Sequence, residues 1–246
     1  MLKPLFEINF GFSIYNLMAA VGVFFATLIL IKIIKKEQLN ETTEAKILGI
    51  FVFSALLGLV TANITNWLFM PELFEYSLIE RIQRAGLNFY GGIIGFFFFS
   101  FIGMKIFKID YKKWINKIIP SVLIFHFFGR LGCSLAGCCY GIELFPLVQN
   151  THLELFPARE IEAICLLVLF FCSKKINDRY KFMFYALSYG VIRFILEFAR
   201  GDYRGHLFIN FLSPAQVIST IIIILTLIIS IIQFHKKLKL RKQMMI

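Results

Sequence analysis

Seven long apolar stretches recur along this chain, near residues 12–34, 47–70, 87–108, 117–139, 160–173, 180–198 and 212–234. A helix crosses the hydrocarbon core of a bilayer with about 20 apolar residues. Lipid admits only structures that satisfy every backbone polar group internally. The stretches therefore predict an all-α polytopic membrane protein with about seven transmembrane helices. Composition agrees: 59% of the 246 residues are hydrophobic and 17% are charged, against roughly 45–50% and 25% in a soluble domain. The fifth stretch is short, because Lys174 and Lys175 end it early and Glu160 and Glu162 stand at its start. The runs are evenly spread, with no linker, low-complexity tract or internal repeat, so one membrane domain over 1–246 is expected. MLKPLFEINFGF carries no A-x-A-like site, and no cleavable signal peptide is expected.

The net charge of +11 is distributed as a topology signal. One set of connections holds Lys32, Lys35, Lys36 and Lys46, then Lys105, Lys108, Lys112, Lys113 and Lys117, then Lys174, Lys175, Arg179 and Lys181. The C-terminus adds Lys236, Lys237, Lys239, Arg241 and Lys242 to the same side. The alternate connections hold only Lys3, Arg81, Arg84, Arg159, Arg200 and Arg204. Basic residues favour the cytoplasmic side, so the pattern predicts the N-terminus outside and the C-terminus in the cytoplasm. Short basic clusters between apolar runs suit anionic lipid headgroups. Nucleic acid is not an expected partner.

Two arginines, Arg130 and Arg193, fall within the spans. An arginine at that depth costs at least about 2.5–3.5 kcal/mol on insertion scales, so it faces a cavity or a partner. In ALSYGVIRFILEFARGD, Tyr189, Arg193 and Glu197 follow one another at four-residue intervals on one helical face, with Arg200 beyond. An Arg193–Glu197 pair that merely ties helices together is as good a reading of those two residues as a functional one. Arg130 has no acid within four residues, so its counterion comes from another helix or from a ligand. Two guanidiniums on one cavity would make a phosphate clamp, and the phosphate carrier at hand in a membrane is a phospholipid.

NFYGGIIGFFFF brings Tyr90 beside Gly91, Gly92 and Gly95, which permit close helix approach. Alone, Tyr90 reads as an interfacial aromatic. HFFGRLGCSLAGCCYG holds His126, Arg130 and three cysteines, Cys133, Cys138 and Cys139. They are a conceivable soft-metal site, with His126 seven residues before Cys133. Paired C-x-x-C spacing is absent, however, and Cys138 and Cys139 are adjacent. Small buried thiols packed among glycines are the preferred reading, and Cys165 and Cys172 read as core filler. No metal is expected.

Together these motifs resemble the prolipoprotein diacylglyceryl transferase family. That family's G-R-x-G-N-x-x-N-x-E-x-x-G signature is matched by Gly129, Arg130, Gly132 and Gly141; its H/Y-G-G-x-I-G motif by Tyr90, Gly91, Gly92, Ile94 and Gly95. Its Y-G-x-x-R-x-x-x-E-x-x-R helix is matched by Tyr189, Gly190, Arg193, Glu197 and Arg200. FPAREIEA puts Glu162 on the family's glutamate, LSPAQVIS supplies Gln216 and Ser219, and SIYNLM suggests Tyr15 for the family's tyrosine. The departures are Cys133 and Ala136 for two asparagines and Cys138 for a glutamate.

The resemblance implies a multi-pass enzyme of the bacterial plasma membrane. It would move the diacylglyceryl group of phosphatidylglycerol to the lipobox cysteine of a prolipoprotein signal peptide, without a cofactor. Arg130, Arg193, Tyr90 and Glu197 are the implied catalytic residues. Tyr15, Gly91, Gly92, Gly132, Gly141, Glu162, Tyr189 and Arg200 are the implied substrate-binding ones. The departures motivate an alternative, a paralogue with another acceptor. A non-catalytic membrane protein that binds phospholipid or peptide and a cysteine-based metal or redox sensor rank lower.

Overall fold

Helix formation follows the apolar runs, and short polar signals set the ends. The computed structural model describes residues 14–85, 87–143, 155–202 and 212–243; the expected starts at residue 12 and the charges Lys3 and Arg204 lie outside these. In chain order the α-helices are α1 (Ile14–Lys36), α2 (Glu41–Phe69), α3 (Leu78–Ala85), α4 (Phe89–Ile106), α5 (Tyr111–Lys117), α6 (Ile119–Leu135), α7 (Ala158–Lys175), α8 (Lys181–Glu197) and α9 (Pro214–Gln243). Among the described residues there is no strand, only isolated antiparallel bridges of Gly141 with Arg200 and of Glu143 with Leu155.

Side-chain caps account for several starts. Asn40 accepts from the Thr43 amide at 2.8 Å before α2, and Asn88 accepts from the Gly91 amide at 3.2 Å before α4. Asp110 accepts from the amides of Lys112 and Lys113 at 3.0 and 3.3 Å. That cap starts a helix six residues before the predicted fourth stretch. Pro120 then lies in the first turn of α6, and α5 and α6 meet at 43°. Lys35 and Lys36, and Lys174 and Lys175, occupy the last turns of α1 and α7, where the helix dipole favours cations.

Four helices, α1, α2, α4 and α9, are long and apolar enough to cross a membrane, and the bent pair α5–α6 makes a fifth. The fifth and sixth predicted stretches exist as α7 and α8 but fall short of that standard. α8 has 17 residues, and α7 carries Arg159, Glu160 and Glu162 in its first turns. Outward faces are apolar: Ile221, Ile224, Leu225 and Ile228 of α9, and Phe53, Leu56 and Val60 of α2, are exposed. The buried set includes His126, Arg130, Glu162, Arg193, Gln216 and Ser219. Apolar outside and polar inside suits a lipid surround. Buried hydroxyls return to their own helices, as Ser54 does to the Ile50 carbonyl and Ser100 to the Phe96 carbonyl, both at 2.7 Å.

The main helix pairs are α2 with α4, α1 with α6, α6 with α7, and α8 with α9. Gly91 and Gly95 let α4 approach α2 closely: a β-carbon at either position would collide with Thr65 or Thr61. Thr61 Oγ1 donates to the Gly91 carbonyl at 3.0 Å across that contact. Two cysteine expectations fail. Cys165 is half-buried and Cys172 exposed, on an α7 whose apolar surface extends beyond its packed face.

Candidate active site

Glu162 on α7 is the centre of the polar interior, with 0% of its surface exposed. Its Oε1 lies 2.9 Å from Arg130 Nε of α6. Its Oε2 lies 3.5 Å from Arg193 Nη1 of α8 and 3.9 Å from Arg200 Nη1, just after α8. The Tyr189 hydroxyl donates to Glu162 Oε1 at 2.9 Å, and Arg130 Nη2 donates to the Tyr189 oxygen at 3.5 Å. The counterion that Arg130 lacks in sequence is thus this carboxylate of another helix.

The four-residue spacing on α8 places Glu197 Oε2 2.6 Å from Arg193 Nη2. Ser213, just before α9, donates its hydroxyl to Glu197 Oε1 at 2.8 Å. Asp202 receives Arg200 in a two-pronged contact, Nε and Nη2 each at 3.0 Å. Three guanidiniums therefore meet three carboxylates. Arg200 Nη1 is buried without a hydrogen-bond partner, 3.9 Å from Glu162 Oε2.

Arg130 and Arg193 border one cavity of about 30 Å³, together with Asn88, Phe89, Tyr90 and Ile218. That is room for about one water, so a headgroup enters only as the side chains open. Beyond Tyr90 and Ile218 lies an apolar cleft of about 300 Å³, walled by Gly91, Ile94, Gly95 and Phe98 of α4 and by Thr61 and Thr65 of α2. Tyr90 and Ile218 border both spaces. The Tyr90 hydroxyl is 2.5 Å from Ser219 Oγ of α9, both buried.

The remaining expected residues lie around this centre. The Tyr15 ring covers Gly132: a β-carbon there would approach Tyr15 Cδ2 to 3.2 Å. Gly92 faces Ala62 across the α2–α4 contact. Gly141 pairs with Arg200 through the backbone and leaves no space for a side chain beside the Phe156 and Ala199 carbonyls. It therefore fixes the chain that carries Arg200.

An aromatic wall escaped the sequence reading. Phe89 stacks on His126 with ring centroids 3.8 Å apart and meets Tyr189 edge-on at 5.2 Å. Tyr185 OH lies 3.4 Å from His126 Nδ1, while His126 Nε2 is buried without a hydrogen-bond partner. A polar residue one turn before Arg130 was the available signal for His126; nothing in the sequence marked Phe89 or Tyr185. Among the described residues, the only cluster of metal-ligating groups is Cys133, Cys138 and Cys139, and His126 is not part of it. The packing expectation holds for buried Cys133 alone; Cys138 is exposed and Cys139 intermediate, because they follow the end of α6.

Apolar outer faces, a buried cluster of arginines and carboxylates, and an apolar cleft next to it define a membrane-type helical protein with a charged interior. A profile of the family described as prolipoprotein diacylglyceryl transferase matches residues 3–232, and the chain belongs to that family. A Clostridium tetani protein named phosphatidylglycerol-prolipoprotein diacylglyceryl transferase is 31% identical over 255 residues, covering 95% of this chain and 97% of the relative. A Clostridium perfringens protein of that name, numbered 2, is 30% identical over 87% of this chain and 89% of its own. A Finegoldia magna protein of the same name is 27% identical over 90% and 92%.

Proposed function

We propose that this protein transfers the diacylglyceryl group of phosphatidylglycerol to the lipobox cysteine thiol of a prolipoprotein. The sulfur attacks the glyceryl carbon that bears the phosphate ester, and a C–S bond forms as that C–O bond breaks. Glycerol phosphate departs with the electron pair, and the thiol proton passes to a base. No oxidation state changes, so the step calls for no redox cofactor.

The observation that carries this reading is the convergence of Arg130 and Arg193 on a small cavity that adjoins an apolar cleft. In this arrangement the lipid phosphate binds between the two guanidiniums and acyl chain occupies the cleft, with Gly91 on its wall. The arginines stabilise charge on the departing phosphate. Glu162 braces Arg130, and Glu197 orients Arg193. Tyr90, between headgroup and chain, positions the donor or relays the proton, and Tyr189 and Arg200 hold Glu162 in place. Tyr15, Gly92, Gly132 and Gly141 shape the surround.

The chain acts as one domain in the bacterial plasma membrane, with seven spans, the N-terminus outside and the C-terminus in the cytoplasm. α7 and α8 cross it shielded by α6 and α9, against which they pack, which is why they tolerate charge. The test is reconstitution with phosphatidylglycerol and a one-cysteine lipobox peptide, read by mass spectrometry. Diacylglyceryl on the thiol, absent with Arg130→Ala or Arg193→Ala, is the expected result. Folded protein that binds the lipid yet yields no adduct would overturn it.

A second reading keeps the chemistry and changes the acceptor. It is motivated by Cys133 and Cys138, which stand where the family signature has asparagine and glutamate. Failure to restore lipoprotein maturation in a strain lacking its main transferase would favour it.

A further inference from the structure

The turn after α6 brings three thiols to one point. Helix α6 ends at Leu135, and Gly137 then takes φ 71°. Cys138 and Cys139 follow, and Cys139 itself has φ 61°, a left-handed conformation that L-residues adopt rarely. Consecutive side chains in extended backbone point to opposite faces. The left-handed bend at Cys139 is what lets two adjacent cysteines turn toward the same neighbour. That neighbour is Cys133 in the last turn of α6, and all three Sγ atoms lie within 4.8 Å of one another.

We propose that Cys133, Cys138 and Cys139 form a three-thiolate site for a thiophilic divalent cation of the zinc class. Metal–sulfur bonds of about 2.3 Å place tetrahedral sulfurs roughly 3.8 Å apart, so the cluster reaches coordination geometry by a contraction of under about 1 Å. Buried Cys133 anchors the site, and exposed Cys138 opens it to an entering ion. The fourth tetrahedral position is taken by water on that exposed side.

Three guanidiniums lie near the cluster, with Glu160 and Asp202 as their partners. Arg159 Nη1 donates to the Cys138 carbonyl at 2.8 Å, Arg130 lies one turn before Cys133, and the charges of Arg130 and Arg200 reach Cys139. Cations favour thiolates over thiols. Three thiolates and one divalent ion carry a single net negative charge, and Arg130, Arg159 and Arg200, each also paired with a carboxylate, lie near it. On binding, each thiol gives its proton to solvent, and no oxidation occurs.

The ion would clamp the turn from 136 to 143 onto the end of α6. That turn carries Gly141, whose backbone pairs with Arg200. The site thus holds in register the segment that presents Arg200 to Glu162. Its test is independent of turnover.

Reduced, metal-stripped protein in detergent is titrated with Cd²⁺ while thiolate-to-cadmium absorption is followed in the near ultraviolet. The expected result is saturation at about one equivalent, with the intensity of three thiolates and displacement of the band by Zn²⁺. Cys133→Ser, Cys138→Ser and Cys139→Ser each weaken binding by about tenfold or more, whereas Cys165→Ser and Cys172→Ser leave it unchanged. Fully reduced parent protein that shows no band would overturn the proposal, as would a band that persists in all three variants. A disulfide among the three cysteines in protein isolated without reductant, mapped by alkylation and mass spectrometry, would overturn it as well.

Discussion

One carboxylate, that of Glu162, faces the guanidiniums of Arg130, Arg193 and Arg200. Glu162→Gln leaves their charges underbalanced in a buried site, where removal of one partner typically costs about 3–5 kcal/mol. Thermal unfolding in detergent is expected to show a large loss of stability, visible before any assay of activity. Arg193→Ala is expected to lower kcat by about 10²–10³ in reconstituted vesicles, with donor binding weakened. Tyr90 separates hydroxyl chemistry from packing: Tyr90→Phe keeps the ring and loses the bond to Ser219. If the hydroxyl takes part in transfer, Tyr90→Phe lowers kcat more than Ser219→Ala does; equal effects in a turnover assay would reduce Tyr90 to a structural residue. Much at this scale was legible. Arg130 and Arg193 stood out because charge at membrane depth needs a reason, and Glu162 through the resemblance. Phe89, His126 and Tyr185 converge from three helices, and an inter-helix distance has no signature in a linear sequence.

Among the elements, α2 and α4 depend on two glycines. Gly95→Ala drives a β-carbon into Thr61, and overpacking of this kind costs about 1–3 kcal/mol. Pairing it with Thr61→Ala, which removes the hydroxyl and methyl that crowd the new β-carbon, is expected to recover part of the loss in a thermal-stability assay. Between α1 and α2, Glu37 is paired with Lys113, at 2.6 Å, and with Lys117. These two ammonium groups, Lys113 foremost, hold its carboxyl below the ordinary value of 4.5. Its contribution to stability is therefore complete above that value and disappears as pH falls through the lower folded-state pKa. Pairs at the protein surface, as these half-buried ones are, contribute about 1 kcal/mol or less, so Glu37→Gln should slightly flatten the acid limb of a stability–pH profile. Helix ends were legible where lysines bound the apolar runs, as at Lys36 and Lys175. The short α3 was not: Leu78–Ala85 is amphipathic and far shorter than a span. Nor was the α5–α6 bend, because the Asp110 cap lies ahead of the apolar run and Pro120 inside it.

At the scale of the whole molecule, the proposed orientation assigns most lysines and arginines to one side. A fluorescent reporter fused behind the C-terminus should be bright and a phosphatase fused there inactive; active phosphatase would reverse the topology. The fold class was readable in the sequence because lipid leaves a chain so few options. Seven crossings were expected, whereas four helices, or five with the bent pair, are long and apolar enough to span, since α7 and α8 give up apolar surface for polar groups. That trade bears on the membrane itself. Arginines and carboxylates threaded through a bilayer would, if connected by water, conduct protons and dissipate the potential across it. Here each cation is matched by an acid, and the space between Arg130 and Arg193 holds about 30 Å³, too little for a file of waters. Vesicles that hold the idle protein and a pH gradient are therefore expected to leak protons no faster than empty vesicles.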